Sequence, residues 1–488
     1  MFKKTKIVAT ISDLRCDVDF IQSLYDAGIN AVRMNSAHMT EEGFVKVITN
    51  TRAVSNTIGI MMDTKGPEIR TTATETGEKI VVNAGDKIKV IGDPDVKSNK
   101  EQVSVSYPSI VKDVPVGNTL LIDDGETALR VIDKTDEYLL CEVQNNGTIG
   151  SRKSVNIPGV SVNLPSITEK DKRSIEIAIK HGADFIAHSF VRSKEDVLAV
   201  QRILDEHDSN IKIIAKIENQ EGVDNIDEIY ETAYGVMVAR GDLGIEVPQE
   251  NIPGIQRLLI RKAIEYKKPV IVATQMLHTM IENPRPTRAE IADIANAVYY
   301  GTDAVMLSGE TAYGKYPLEA VRTMAQVARA AEISKLQEKA TPVPFKEMEY
   351  GRTSFLAKQA VKSASQLNVK AIVTDSMTGR TARTLAAFRS KCPVYSFCNR
   401  VEVARWLSLC YGVEAHYQED TGYTTNRHKE YFMKAIKYLI DNKVVDNGDY
   451  VTYLSGTFTD GKGGTSFLEI EKIENVIELG DKFFVPVD

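Results

Sequence analysis

The chain contains few cysteines, and their spacing matches no disulfide framework or metal site. Only five occur among 488 residues, at positions 16, 141, 392, 398 and 410. The number is odd, and Cys392 and Cys398 stand six positions apart, which fits no common zinc pattern. We therefore expect free thiols in a reducing compartment rather than a secreted fold held by disulfides.

Long apolar runs and an excess of positive charge are also missing. No run is long enough to span a bilayer, and Met1–Lys4 lead into a strand without the apolar segment of a signal peptide. The formal net charge is −7, so a nucleic-acid backbone is not the expected partner. We expect a cytoplasmic protein that binds neither membrane nor nucleic acid.

What the sequence does contain is a series of eight short apolar runs that each end in polar residues. Continuous apolar runs indicate strands buried on both faces, and helical patterns separate most of them. The runs are Ile7–Ile11, Ala31–Met34, Gly59–Met62, Phe185–His188, Ile211–Lys216, Gly235–Ala239, Val270–Ala273 and Ala304–Leu307. Eight such units predict a TIM (β/α)8 barrel, which carries its chemistry at the C-terminal ends of the strands.

The barrel pattern is interrupted once and is followed by a different domain. Residues 67–163 show strand-like alternation and crowded turn signals, which predict an inserted all-β lid, a small β-barrel. The catalytic barrel then comprises residues 1–66 and 164–340. Strands and helices alternate again in residues 341–488, which predicts a C-terminal three-layer α/β domain with a mainly parallel sheet and a regulatory role.

Charged side chains follow neighbouring barrel strands. Lys216 and Glu218 lie two residues apart and therefore face the same site, and Asp242 follows the next strand. Two carboxylates suit Mg²⁺, which takes few protein oxygens and leaves its other positions for water and phosphate. The structural alternative is an ion pair between Lys216 and one of the carboxylates. Arg33, at the end of the second strand, is a natural clamp for a phosphoryl group.

Other polar residues at strand ends allow both a functional and a structural interpretation. Arg70 suits a phosphoryl clamp or a surface ion pair, and Thr274 suits a proton relay or a helix cap. Thr287 and Glu290 form a capping-box pattern, which is explained by helix initiation alone. Hard oxygen ligands for a further cation are present at Asn35, Asp63 and Thr64.

Several strings of residues together resemble one family, that of the pyruvate kinases, in order and spacing across the whole chain. They are Asp63–Arg70, Lys216–Asn219, Val238–Gly244, Ala273–Leu277, Arg285–Glu290 and Met306–Thr311. The resemblance implies transfer of a phosphoryl group from phosphoenolpyruvate to ADP, giving pyruvate and ATP in the last step of glycolysis. It also implies a homotetramer.

The resemblance assigns roles to the residues of the barrel rim. It implies that Glu218 and Asp242 hold Mg²⁺ or Mn²⁺, that Lys216 stabilises charge on the phosphoryl group and the enolate, and that Arg33 steers the phosphoryl group. Thr274 is expected near the protonated face of the enolate. Main-chain N–H groups of Gly241 and Asp242 are expected to bind the substrate carboxylate. Nucleotide binding is expected at Asn35, His38, Arg70 and Lys153.

The sequence departs from the family pattern at two strand ends. Ser12–Cys16 replace a Gly-Pro turn, which bears on the adenine side, and Ala37 replaces a serine whose hydroxyl binds K⁺. Glu68 is nevertheless the residue typical of members that require K⁺. We expect K⁺ to be required but weakly bound by Asn35, Asp63 and Thr64, with Ser36 or water supplying the missing oxygen.

The C-terminal domain contains a loop that opens a helix and is a ready anion site. By resemblance it binds the phosphate of a sugar effector, through Ser376, Thr378, Gly379, Arg380 and Thr381. The loop Gly461–Ser466 is expected to face it, and plain helix capping is the alternative.

Two other functions remain open from the sequence. One is a metal-dependent aldolase or lyase acting on pyruvate enolate, since such barrels also use Mg²⁺-binding carboxylates and an arginine. The other is a degenerate paralogue that only binds metabolites, which Ala37 and the altered first loop allow. The set Lys216, Glu218, Asp242 and Thr274 favours an active kinase.

Overall fold

A computed structural model describes residues 2–37, 39–337, 351–419, 427–456 and 465–483. Eight parallel strands close into a barrel in which the first strand pairs with the last. In chain order these strands are β1 (Lys6–Thr10), β2 (Ala31–Asn35), β3 (Gly59–Asp63), β12 (Phe185–His188), β13 (Lys212–Ile217), β14 (Gly235–Ala239), β15 (Val270–Ala273) and β16 (Ala304–Leu307), with β4–β11 belonging to an insertion. The predicted TIM barrel is confirmed.

The barrel strands are short and mostly buried because both of their faces are covered. Every residue of β1, β3 and β14 is buried. The outer layer consists of the helices α1 (Val18–Ala27), α2 (Glu41–Val54), α4 (Glu169–Lys180), α5 (Lys194–Glu206), α6 (Gln220–Asp224), α7 (Ile226–Thr232), α8 (Arg240–Glu246), α9 (Ile252–Tyr266), α10 (Arg288–Tyr300), α11 (Gly309–Ala312) and α12 (Pro317–Gln337). Helix α10 begins with the predicted capping box, in which the Thr287 side chain accepts from the Glu290 N–H and the Glu290 carboxylate accepts from the Thr287 N–H.

The insertion after β3 is a mainly β unit with its own core; the short helix α3 is an addition to the all-β unit predicted from the sequence. It contains β4 (Ile80–Val82), β5 (Lys87–Ile91), β6 (Gln102–Ser104), α3 (Ile110–Asp113), β7 (Thr119–Ile122), β8 (Thr127–Lys134), β9 (Leu139–Val143), β10 (Gly147–Ile149) and β11 (Val155–Asn156). These strands form a six-stranded and a two-stranded sheet. Alternate residues such as Ile88, Leu129 and Val143 point inward and are buried in one cluster.

The C-terminal part is an α/β unit with one mostly parallel sheet. Its elements are α13 (Arg352–Gln366), β17 (Ala371–Ser376), α14 (Arg380–Ala387), β18 (Val394–Cys398), α15 (Val401–Trp406), β19 (Val413–Tyr417), α16 (Arg427–Asp441), β20 (Tyr450–Ser455), β21 (Phe467–Lys472) and α17 (Ile473–Phe483). The strand order is β19-β18-β17-β20-β21, with only β21 antiparallel. Ala360 and Leu385 belong to one core cluster and Phe432 to another, so helices cover both faces of the sheet, as predicted.

The α/β unit covers the N-terminal ends of the barrel strands. Tyr234, which precedes β14, donates a hydrogen bond of 3.0 Å to the Trp406 carbonyl. Lys212, which begins β13, lies 4.1 Å above the Trp406 ring, and Arg389 pairs with Asp303 at 2.8 Å. Interior residues of the barrel and residues of the α/β unit form one continuous apolar cluster. The opposite, C-terminal ends of the strands remain available for a site.

Two further observations concern compartment and membrane. All five cysteines are buried and unpaired. Among the helices that the structure describes, none combines the length and the apolar character that a bilayer crossing requires.

Candidate active site

Lys216 lies at the centre of a buried charge cluster at the C-terminal end of the barrel. Its Nζ atom is 2.9 Å from Oε1 of Glu218 and 3.1 Å from Oδ1 of Asp63. It also donates a hydrogen bond of 2.7 Å to the Ser189 hydroxyl. These groups come from strands β3, β12 and β13 and their ends, which pair side by side in the barrel. The sequence therefore brings one ammonium group and two carboxylates to one point.

Asp63 connects Lys216 to Arg33. The Nε atom of Arg33 lies 2.6 Å from Oδ2 of Asp63, and the Arg33 guanidinium also donates to the Thr10 hydroxyl at 3.2 Å. Burial alone would raise the pKa of the Asp63 carboxyl, but the two neighbouring cations outweigh it and hold the pKa below its ordinary value. Asp63 is therefore ionised and fixes the two cations predicted to meet a phosphoryl group.

Glu218 is held by the backbone of the neighbouring strand end. The Phe190 N–H donates a hydrogen bond of 2.7 Å to its Oε2 atom. Phe190 has φ 55°, a left-handed conformation that is rare for a bulky residue and costs energy. Gly66 lies against Phe190, where a Cβ atom would approach the ring to 2.7 Å. The strained backbone of Phe190 therefore places its N–H group within hydrogen-bond distance of Glu218, the predicted metal ligand.

The protonation states of the pair Lys216 and Glu218 follow from burial and from their neighbours. Burial would lower the pKa of Lys216, but Asp63, Glu218 and Asp242 raise it above its ordinary value, so this side chain is a cation. Burial raises the pKa of Glu218, the attraction of Lys216 opposes that rise, and repulsion from Asp242 adds to it. The two carboxylates thus share a site where further positive charge is favourable.

The donor set at this position fits Mg²⁺. Within the described ranges, no three His, Cys, Asp or Glu side chains come together as a metal site. Glu218 and Asp242 supply two carboxylates, and Mg²⁺ commonly uses one or two of these together with waters and substrate phosphates. The two carboxylates, whose mutual repulsion helps to raise the pKa of Glu218, therefore agree with the predicted ion.

Thr274 is held in an unusual backbone conformation at the end of β15. It has φ 67° and the next residue, Gln275, has φ 56°, although a β-branched residue strongly disfavours this region. The Thr274 hydroxyl accepts from the Gly241 N–H at 2.8 Å and donates to the Ala273 carbonyl at 2.6 Å. Thr274 thus contacts the start of α8, where Gly241 and Asp242 lie.

Arg240 also contacts the residues around Thr274. Its guanidinium makes two bonds of 2.7 Å to the Asp293 carboxylate and donates to the Thr274 carbonyl at 2.5 Å. Arg240 is therefore a structural neighbour that orients Thr274 and the start of α8.

Three of the four residues expected to bind nucleotide contact other protein groups. Arg70 pairs with Glu68 at 2.5 Å, which is the structural alternative raised by the sequence. Lys153, on the insertion, lies 2.7 Å from the Asp123 carboxylate. The Asn35 side-chain oxygen accepts from the Ala37 N–H at 3.0 Å, and His38 lies outside the described residues. Their nucleotide roles stay predictions.

A cleft of about 370 Å³ separates the insertion from the barrel rim. Asp242 and Asn219 line it from the barrel, and Asp124 and Ser154 line it from the insertion. Hydrogen bonds between the units include Asn156 to Glu246 at 2.7 Å, Ser161 to Glu221 at 2.9 Å, and the Arg192 guanidinium to the Val162 carbonyl at 2.8 Å. The insertion therefore stands over the candidate metal ligands in the manner of a lid.

Oxygen atoms of the predicted K⁺ set lie beside the charge cluster. Thr64 accepts the Ser189 N–H on its hydroxyl at 3.0 Å and the Ser189 hydroxyl on its carbonyl at 2.7 Å. Ser36 is 2% exposed, and its hydroxyl has no hydrogen-bond partner within the part of the chain that the structure describes. Its backbone N–H donates to the Asp63 carbonyl at 3.0 Å.

The predicted effector loop joins β17 to α14. The Gly379 N–H donates to the Ser376 hydroxyl at 2.9 Å, and Gly379 itself has φ 77°. The Thr381 hydroxyl lies 2.8 Å from that of Thr465, while Thr378 and Arg380 belong to the same turn. Residues 461–464 of the facing loop lie outside the described residues. Effector binding here stays a prediction.

Two residues contribute to the site but were not among the site residues predicted from the sequence. Ser189 was visible as a polar residue at a strand end, yet nothing in its neighbours marks it as the bridge between Lys216 and Thr64. Phe190 carried no signal, because its contribution is a backbone amide in a conformation that only the folded chain imposes.

A TIM-barrel enzyme with a cation–carboxylate cluster under a β-rich lid is the class that this fold and site define. The family model described as "Pyruvate kinase, barrel domain" matches residues 2–321, and "Pyruvate kinase, alpha/beta domain" matches residues 355–471. The chain belongs to the pyruvate kinase family.

Similar proteins cover nearly the whole chain. A pyruvate kinase of Borreliella burgdorferi is 46% identical over 478 residues, with 98% of each chain covered. A pyruvate kinase of Geobacillus stearothermophilus is 43% identical over 487 residues, covering 98% of this chain and 82% of the relative. The crystal structure of a pyruvate kinase from Cryptosporidium parvum aligns with a TM-score of 0.88 at 36% identity and covers 96% of each chain.

Proposed function

We propose that this chain transfers the phosphoryl group of phosphoenolpyruvate to ADP, with Mg²⁺ bound by Glu218 and Asp242. The observation that carries the proposal is the cluster around Lys216, in which a buried ammonium group lies 2.9 Å from Glu218 and 3.1 Å from Asp63. Phosphoryl transfer depends mainly on positioning and charge neutralisation, and this cluster supplies fixed positive charge in a water-poor setting.

Each residue of the cluster has a distinct task in this mechanism. Lys216 remains protonated. It stabilises negative charge on the phosphoryl group during transfer and then on the enolate that is left. Arg33 orients the phosphoryl group through its guanidinium plane. Asp63 holds both cations in place, at 2.6 Å from Arg33. Glu218 and Asp242 would hold Mg²⁺, which would act as a Lewis acid toward the phosphate oxygens.

The second half of the reaction is protonation of the enolate to pyruvate. Thr274 is the proposed neighbour of the face that receives the proton, and its fixed hydroxyl supports that role through bonds to Gly241 and Ala273. The lid limits access of water, which competes with ADP for the phosphoryl group. The hydrogen bond between Asn156 and Glu246 supports a closed arrangement of the lid.

The direct test is a lactate-dehydrogenase-coupled assay with phosphoenolpyruvate, ADP, Mg²⁺ and K⁺. We expect turnover by the native chain and a loss of about 10²–10³-fold in kcat for Lys216→Met, because a preorganised charge is removed. Lys172→Met, an exposed lysine on α4, is the matched control. Pyruvate formation from a 4-hydroxy-2-oxo acid, with no turnover of phosphoenolpyruvate, would instead indicate an aldolase or lyase. Binding of phosphoenolpyruvate without any turnover would indicate a binding-only paralogue.

We also propose that activity requires K⁺, weakly bound by Asn35, Asp63 and Thr64, with the Ser36 hydroxyl as an added ligand. Two facts support this: Ser36 is buried, and its hydroxyl has no partner among the residues described. A buried hydroxyl without a partner is unfavourable unless an ion or water satisfies it. Ala37 can offer only its backbone at the neighbouring position.

Titration of the rate with KCl tests this second proposal. We expect Ala37→Ser to lower the KCl concentration needed for half-maximal rate, because a hydroxyl oxygen is restored, and Ser36→Ala to raise it. Tetramethylammonium chloride at matched ionic strength is the control for salt effects. Full activity in the absence of K⁺ would refute the requirement.

A further inference from the structure

A second cavity, of about 450 Å³, lies between the barrel and the α/β unit. It is formed where the end of α9 meets the starts of α13 and α14, at the N-terminal ends of the barrel strands. Its volume falls in the range of small-molecule sites, roughly 300–1,000 Å³. The candidate active site lies at the other end of the barrel, so this cavity is separate from it.

The lining of this cavity is strongly basic. Five cationic side chains contribute to it: Lys267, Lys268, Arg352, Arg380 and Arg383. None of the described lining residues is a carboxylate, although the whole chain has a net charge of −7. Cations gathered around one concave space raise the local concentration of anions. The cavity therefore favours the binding of anions, although the protein as a whole is negatively charged.

Arg383 shows that this lining is built rather than incidental. Its guanidinium lies 4.8 Å from the centre of the Tyr234 ring, which fixes its plane. Its Nε atom is buried and has no hydrogen-bond partner within the described ranges. Buried donors in folded proteins nearly always have an acceptor, so the Nε–H group of Arg383 is a donor whose acceptor is missing.

The start of α13 offers further donors to the same space. The helix has 15 residues and begins after Gly351, which provides no side-chain cap, and Gly351–Ser354 line the cavity. The first N–H groups of a helix lack internal partners and carry partial positive charge. An uncapped helix start beside an arginine with a missing acceptor favours an anion with several oxygens, as in a phosphoryl group.

We propose that this cavity binds a small phosphoryl-bearing anion that contacts the barrel and the α/β unit at once. The site differs from the predicted loop Ser376–Thr381 in that two of its cations, Lys267 and Lys268, come from the barrel. Binding here ties the two units together through their charges. It does not depend on the proposed catalytic function, because it involves none of the residues of the rim cluster.

Isothermal titration of the full chain with pyrophosphate tests the proposal. Lys216→Met serves as the background, because it weakens anion binding at the rim and leaves the cavity unchanged. We expect Arg383→Gln in this background to weaken pyrophosphate binding by at least about tenfold, since charge-assisted hydrogen bonds are lost. Lys172→Met in the same background, which removes an exposed lysine far from the cavity, should bind as the background does.

A second variant and a second anion make the result decisive. Arg352→Gln changes an exposed side chain of the cavity that lies outside the predicted effector loop, and it should fold normally while weakening pyrophosphate binding. Citrate, a polyanion without phosphorus, should bind at least about tenfold more weakly than pyrophosphate. Unchanged pyrophosphate affinity in both arginine variants would overturn the site, and equal affinity for citrate would overturn its phosphoryl preference.

Discussion

Replacing Asp63 with asparagine separates the electrostatic role of the rim cluster from its chemical role. Asp63 is 1% exposed and accepts from Arg33 at 2.6 Å while lying 3.1 Å from the Lys216 ammonium. Asparagine keeps the size but removes the charge, and its amide N–H₂ faces at least one cation. Two like charges then lie in one buried site without the anion between them.

The expected cost follows from the burial of this pair. Removing one partner of a buried ion pair destabilises a protein by about 3–5 kcal/mol. Arg33 keeps its bond to Thr10 and Lys216 keeps Glu218, so we expect the lower end, about 3 kcal/mol. Displacement of the two cations should also lower kcat by about 10²-fold, because catalytic groups are sensitive to small misplacements.

Urea unfolding followed by circular dichroism measures the first effect, and the coupled assay measures the second. Asp303→Asn is the matched control, because Asp303 is a buried aspartate paired with Arg389 at 2.8 Å at the opposite end of the barrel. It should lose comparable stability and retain kcat. A loss below about 1 kcal/mol in Asp63→Asn, with kcat unchanged, would show that the cluster has no such role.

The pH dependence of this difference has a defined direction. The folded-state pKa of Asp63 lies below its ordinary value, so its contribution is fully present above about pH 4 and is lost as the pH falls through the folded pKa. The stability deficit of Asp63→Asn should therefore be constant near neutral pH and shrink in acid. A deficit that grew as the pH fell would contradict this linkage.

Two further substitutions test the supports of the site. Gly66→Ala should lower stability by about 1–3 kcal/mol and reduce kcat, because Gly66 has φ +73° and an added Cβ atom would lie 2.7 Å from the Phe190 ring. Thermal unfolding measures the stability and the coupled assay measures kcat. An unaffected kcat would show that Phe190 does not position Glu218. Thr287→Ala should cost about 1 kcal/mol in thermal unfolding and leave kcat nearly unchanged, because its hydroxyl only caps α10; a large loss of kcat would reveal a role beyond capping.

Much of the architecture was predictable because burial on both faces leaves a simple pattern. Runs such as Gly235–Ala239 are apolar at every position and became strands with the same bounds. The capping box of Thr287 and Glu290 was equally local and is confirmed. Lys216 and Glu218 were predicted to share a site from their spacing alone, and they lie together.

The remaining features depend on contacts between distant segments. The left-handed backbone of Phe190 is imposed by packing and by the carboxylate of Glu218, 28 positions away, so local sequence carries no trace of it. The pairing of Arg240 with Asp293 likewise joins two helices that the sequence keeps apart. Such features arise only when distant segments come together in the folded barrel, so they cannot be predicted from local sequence.

The shared apolar cluster beneath the barrel has a consequence for how the polypeptide behaves when divided. Phe185 and Tyr234 lie at the floor of the barrel, and the segment around Trp406 shields them from solvent. Separating the two units would expose this apolar surface to water, at a cost of about 25 cal/mol for each Å² of apolar area uncovered. The barrel thus draws part of its stability from residues far along the chain, at the end opposite the candidate active site.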